Sequence, residues 1–148
     1  MRRHSRDRGF FVSVFLLVTL ACSAPHFGGD RGNAAEILVI REIQTIHQAQ
    51  AQYMSQFGRY ATTLKELGPP TSGDVGPQAA DLIPYNLASG EENGYMFALT
   101  TTPQGYTINA NPKVYPGSGR RTFFSDQSNV IHQNWSGEPA NASSPDLK

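Results

Sequence analysis

Between Asn33 and Phe57 the chain runs for 25 residues without a glycine or a proline. Ile37, Ile40, Ile43, Ile46, Ala49 or Gln50, Tyr53 and Phe57 recur at three- and four-residue steps. That spacing gathers side chains on one face of a helix. Arg41, Gln44, Gln48, Gln52 and Gln56 fall opposite, an amide-rich face suited to water. Asn33 is placed to cap the first turn, and Glu36, three residues on, to reach back to the Asn33 amide. Gly58 supplies the stop, since glycine adopts a left-handed conformation at little cost. A helix of about six turns with one apolar stripe must bury that stripe, so the rest of the chain has to provide a surface for it.

That surface is legible in the second half of the sequence. Tyr95, Phe97 and Leu99 alternate with Met96, Ala98 and Thr100, and Tyr106, Ile108 and Ala110 with Thr107, Asn109 and Asn111. This is the period of a strand with one buried face, and Thr102-Pro103-Gln104-Gly105 joins the two runs as a hairpin. Arg121 to Ser125 and Val130 to Gln133 form a second hairpin around the turn Asp126-Gln127-Ser128-Asn129. The expected fold is α+β, a long N-terminal amphipathic helix packed on a small four-stranded antiparallel sheet in meander order. Between helix and sheet, Thr63 and Glu66 have capping-box spacing and predict a helical turn over 63–67, with Leu64 and Leu67 facing the main helix. Pro69 to Pro77 reads as a loop, 78–83 as a further helical turn stopped by Pro84, and 85–93 as irregular. Residues 136–148, rich in Ser, Pro, Ala and Asn, have almost nothing to bury and predict a disordered tail.

The N-terminus has a different composition. Four of the twelve basic residues (Arg2, Arg3, Arg6, Arg8) and one of the twelve acidic ones (Asp7) precede Gly9, leaving eight basic against eleven acidic residues beyond it. A mildly acidic body gives no electrostatic footprint for nucleic acid. The basic front leads into Phe10 to Ala21, an apolar run of twelve residues. A spanning helix needs about 20, so residues 1–24 read as an export signal. Three processing routes are open. Thr19-Leu20-Ala21-Cys22 resembles a lipobox, with Cys22 as the lipid attachment site, although Thr19 stands where an aliphatic residue is usual. Signal peptidase could cut after Ala21 or Ala24. Gly9-Phe10 resembles the junction cut by prepilin peptidase. Residues 25–32, with Pro25 and three glycines, read as a flexible linker before a globular domain at 33–135.

The residue types of catalysis are not grouped. The single cysteine excludes an internal disulfide and a cysteine-cluster metal site. There is no His-Glu-x-x-His run, phosphate-cradling glycine loop or nucleophile elbow. His47, between the two helix faces, and His132, in the last strand, would make at best a poor two-histidine metal site. Asp126, Ser128 and Asn129 have oxygens for weak calcium binding but are also the ordinary residues of a hairpin turn. Asn134-Trp135-Ser136 and Asn141-Ala142-Ser143 match glycosylation sequons. No catalytic, cofactor or metal residue is therefore expected, and the chain reads as non-enzymatic.

Taken in order, Gln50-Ala51-Gln52-Tyr53, Phe57-Gly58-Arg59-Tyr60-Ala61 and Leu64-Lys65-Glu66-Leu67-Gly68 resemble the globular half of type IV pilins, the acidobacterial-type pilins and pseudopilins above all. Leu87-Ala88-Ser89-Gly90, Gly94-Tyr95-Met96-Phe97, Gly119-Arg120-Arg121-Thr122-Phe123 and Ser125-Asp126-Gln127-Ser128-Asn129-Val130-Ile131 continue the likeness through residues 34–133. The resemblance implies a bacterial cell-envelope protein with a helix packed across an antiparallel sheet. The N-terminus departs from that family. Its members carry about 25 apolar residues after the Gly-Phe junction and a glutamate at the fifth mature position, where this chain has Val14. The expectation is thus an interaction module, lipid-anchored or periplasmic, whose partners are other envelope proteins and, through the N-terminus, the membrane. The alternative is a minor pilin or type II secretion pseudopilin subunit.

Overall fold

A computed structural model describes residues 28–148, with side chains from Ala34 onward. The expected export signal, with Gly9, Phe10 and Cys22, lies outside the described residues. Helix α1 spans Gly28–Phe57. It begins five residues earlier than the sequence predicts, so 28–32, expected as linker, are its first turns and Asn33 is interior rather than a cap. Gly58 ends it at φ +72°, as the sequence requires, with its N–H on the Met54 carbonyl. Two short helices follow, α2 (Leu64–Leu67) and α3 (Tyr85–Ala88). Thr63 caps α2 by accepting from the Glu66 N–H, and Leu64 and Leu67 are buried as the capping-box reading expects. The helical turn predicted over 78–83 does not form. Gly76 and Ala79 instead pair across a tight turn, and the helix falls one step later, after Pro84.

The sheet is an antiparallel meander of five strands: β1 (Glu91–Glu92), β2 (Tyr95–Thr102), β3 (Gly105–Pro112), β4 (Thr122–Asp126) and β5 (Ile131–Asn134). The expected count of four is therefore corrected to five. The added strand is only two residues long, too short to show a period, and pairs with β2 through the Asn93-Gly94 turn, where both residues have positive φ. α1 lies across the sheet, and the two share one core containing Val39, Ile43, Ile46, Tyr53, Tyr95, Ile108 and Phe123. The helix stripe matches the periodic reading from Ile43 to Tyr53. Toward the N-terminus it is rotated. Glu36 and Val39 face inward, whereas Ile37 is 52% exposed.

The C-terminal segment also departs from its expected disorder. It runs back along β5 and over the sheet face opposite α1. The Gln133 and Leu147 N–H groups donate to the Pro145 and Ile131 carbonyls. Thr122 Oγ1 and Asn109 Nδ2 donate to the carbonyls of Glu138 and Ala140. β4 is consequently buried on both faces, a need that its Thr-Phe-Phe-Ser sequence does carry. Ending the chain after Trp135 is expected to cost about 2–6 kcal/mol, from four hydrogen bonds worth about 0.5–1.5 kcal/mol each. Urea titration of the truncated and full chains checks this. A midpoint unchanged by truncation would show that the segment is not held.

Candidate functional site

Of the buried polar side chains among the described residues, Glu36, His47 and Gln50 belong to α1 and Ser125 to the sheet face that it covers. At the amino end of the seam between α1 and the sheet, the Glu36 carboxylate is buried and makes an ion pair with Arg121, Nε donating to Oε2 at 2.7 Å. Its other oxygen accepts from the Arg120 backbone N–H at 2.8 Å. The Glu36 side chain thus closes the fold over 84 residues rather than reaching back to Asn33. Arg121 Nη1 also donates to Gln133 Oε1, and its guanidinium lies over the rings of Phe123 and Trp135.

In the middle of the seam His47 meets Tyr106 and Ser125. Nδ1 lies 2.7 Å from Tyr106 Oη and Nε2 lies 2.8 Å from Ser125 Oγ. Ser125 Oγ gives its own proton to the Val130 carbonyl at 2.7 Å. It must therefore accept from His47 Nε2–H, which leaves Nδ1 to accept from Tyr106. A neutral ring satisfies both partners. The same direction of donation means that His47 withdraws no proton from Ser125, and the buried hydroxyl is no activated nucleophile. Burial lowers the His47 pKa, with the Asp126 charge opposing, and burial pushes the Tyr106 hydroxyl up to about 12.

The sign of the resulting pH dependence follows from that lowering. The unfolded chain takes up a proton near the usual value of 6.5 before the folded chain does. The His47 contribution is thus present above that value and is lost as pH falls from it through the lower folded pKa. Stability is expected to drop as pH falls below about 6.5, and less steeply in His47→Gln. Denaturant midpoints across that window measure it. Parallel slopes in the two proteins would remove His47 as the cause.

At the far end of α1, Gln50 closes a buried pair of bonds with the Ala61 backbone, 2.8 Å to N and 3.0 Å to O. Tyr53 Oη donates to the Pro77 carbonyl, and the Glu66 carboxylate accepts from Arg59 and from the Thr62 backbone. Burial acts against ionisation of Glu66, but these bonds hold its carboxyl below the usual carboxylate range.

His132 does not join His47. It lies on the opposite face of the sheet, its ring tilted against Phe124, with Nδ1 close to the Ser144 carbonyl and to Asp146. Ile131, which packs in the core, and His132 are consecutive in β5, and the period of two sends them to opposite faces. Asp126, Ser128 and Asn129 form the β4–β5 turn. Asp126 Oδ1 accepts the Ser128 N–H, and Asn129 has φ +65°. Among the described residues no three His, Cys, Asp or Glu side chains are grouped to hold a metal, and no helix is long and apolar enough to cross a membrane.

Among the described residues, α1 and α2 each border a surface open to a partner. Arg41, Gln44, Gln48, Gln52 and Gln56 are all exposed, as the amide face of α1 predicts. The sequence reading did not anticipate the second, an open groove of about 1030 Å³ between α2, the 69–77 loop and α3. Lys65, Pro70, Asp74, Pro77 and the exposed Tyr85 line it. Its only sequence signal is the density of proline around Pro69-Pro70. No protein-family model, curated protein or solved structure matches the chain.

Proposed function

We propose that the protein is a non-enzymatic component of a bacterial cell envelope, a pilin-like domain tethered by its N-terminus or released to the periplasm, whose work is to bind other envelope proteins. One observation carries this reading. α1 leaves the export-type segment within a few residues of Cys22 and then lies across an antiparallel meander, with its amide face turned to solvent. The polar groups along α1 favour the same reading, since Glu36 and His47 hold the helix to the sheet and Gln50 and Tyr53 hold it to the 61–77 segment. Under it, Cys22 is the lipid attachment site, no cofactor is required, and the amide face or the α2–α3 groove receives the partner.

The alternative, a minor pilin or pseudopilin subunit, gains from the length of α1. Gly28, Gly29 and Gly32 lie within the helix, so only 22–27, with Pro25, separate it from the apolar run. Against it, Phe10 to Ala21 would supply about 18 Å of rod where about 25 residues would give near 37 Å. Val14 also offers no carboxylate to a neighbour's terminal charge. Mass spectrometry of the mature protein separates the routes. Acylated Cys22 supports the tether, a free terminus at Cys22 or Pro25 supports release, and methylated Phe10 replaces both with the filament subunit.

A further inference from the structure

We infer that the end of the domain where α1 enters is a lipid-docking surface, with Trp135, Tyr115 and Val114 seated at the membrane–water boundary. The inference rests on the tether proposed above and adds what the domain does once tethered. Trp135 and Val114 are more than 60% exposed and Tyr115 45%. They are held together: Tyr115 Oη donates to the Trp135 carbonyl at 3.1 Å, and Gly137 sits against the Tyr115 ring. The patch is also fixed to the helix. The Arg121 guanidinium lies 4.9 Å from the centre of the Trp135 ring while its Nε bonds to Glu36 of α1. Ile37 and Leu38, the next two residues of α1, are exposed as well. Large exposed apolar residues in one place mark an interaction surface.

Chemistry and reach select lipid as the occupant. Tryptophan and tyrosine join an apolar body to a polar edge and concentrate at headgroup level. Glu36 lies eight residues after Gly28, about 12 Å along the helix. Cys22 is six residues before Gly28, at most about 20 Å of extended chain. A lipid on Cys22, or the end of an apolar run inserted in a bilayer, is therefore within about 32 Å of Glu36, whose partner Arg121 lies against the Trp135 ring. Charge plays a smaller part, because Arg121 is paired with Glu36 and Lys113 with Glu91. Apolar insertion is thus the main attraction.

Trp135 is the one tryptophan of the chain, so its fluorescence reads this patch alone. The full chain is reconstituted into vesicles of phosphatidylethanolamine and phosphatidylglycerol and floated on a density gradient. Trp135 is then probed with lipids brominated high on the acyl chain and with aqueous acrylamide. The expected result is flotation, quenching by the brominated lipid, and a several-fold loss of acrylamide quenching. Both fluorescence effects should diminish in Val114→Asp/Tyr115→Asp with the circular dichroism spectrum unchanged. The unsubstituted chain decides the matter if that variant does not fold. Flotation with Trp135 still open to acrylamide and untouched by bromine overturns the docking and leaves the tether standing. Failure to float overturns both. Shielding that rises with protein density but without bromine quenching assigns the patch to a second copy and overturns the lipid.

Discussion

Replacing Glu36 by alanine is expected to destabilise the domain by about 3–5 kcal/mol, the range for removing one partner of a buried ion pair. The size comes from what is left behind rather than from the bond itself. Arg121 has only 15% of its side chain exposed, and it keeps Gln133 and two aromatic faces but no counter-charge. The Arg120 N–H loses its acceptor at the same time. Glu36→Gln retains the shape and an acceptor, so it should cost less, about 1–3 kcal/mol. Glu36→Met combined with Arg121→Met removes both charges. It should recover much of the loss, because apolar replacement of a whole buried pair is often neutral. Urea titrations of the four proteins test the account. A cost below about 1 kcal/mol for Glu36→Ala would mean that water reaches the pair and screens it.

Glu36 also shows where sequence reasoning ends. Asn33 and Glu36 have the spacing of a capping box, which is a local pattern, but α1 starts at Gly28 and the Glu36 carboxylate bonds to Arg120 and Arg121. The true partners are 84 and 85 residues away, and nothing near Glu36 in the chain points to them. Ile37 errs for the same reason. Periodicity fixes which residues share a face, but the phase of that face is set by what it packs on. Here the Arg120–Arg121 corner draws Glu36 inward and turns Ile37 out. From Ile43 to Tyr53 the phase is correct, because the partners are a broad apolar surface that accepts any branched residue.

Turns and caps that depend on a few consecutive residues are the most legible in the sequence, and contacts between distant segments the least. Gly58, the Thr63 cap and the Asp126–Asn129 turn act as their types require, since each depends on a few consecutive residues. β1 escaped because two residues carry no alternation. The C-terminal segment escaped because its attachments are mostly backbone carbonyls, which every sequence has. By its position in the sequence His47 falls between the two helix faces. Its role needed Tyr106 and Ser125 from two different strands, a meeting that only the sheet register produces.

The second large effect is expected at Ile43. It is fully buried in the shared core, and Ile43→Ala should cost about 2–5 kcal/mol, transfer of the lost carbons plus the cavity they leave under the helix. Gln48→Ala on the amide face should cost less than about 0.5 kcal/mol, as surface substitutions do. Ile37→Ala discriminates more sharply. The periodic stripe groups Ile37 with Ile43, whereas its exposure groups it with Gln48. The change should therefore cost no more than about 1 kcal/mol, in keeping with a side chain already half in water. Midpoints should shift at constant slope, since the surface exposed on unfolding barely changes. If Ile37→Ala proved as costly as Ile43→Ala, the helix would be rotated about its axis. Glu36 would then be turned away from Arg121, and both large effects would fail together.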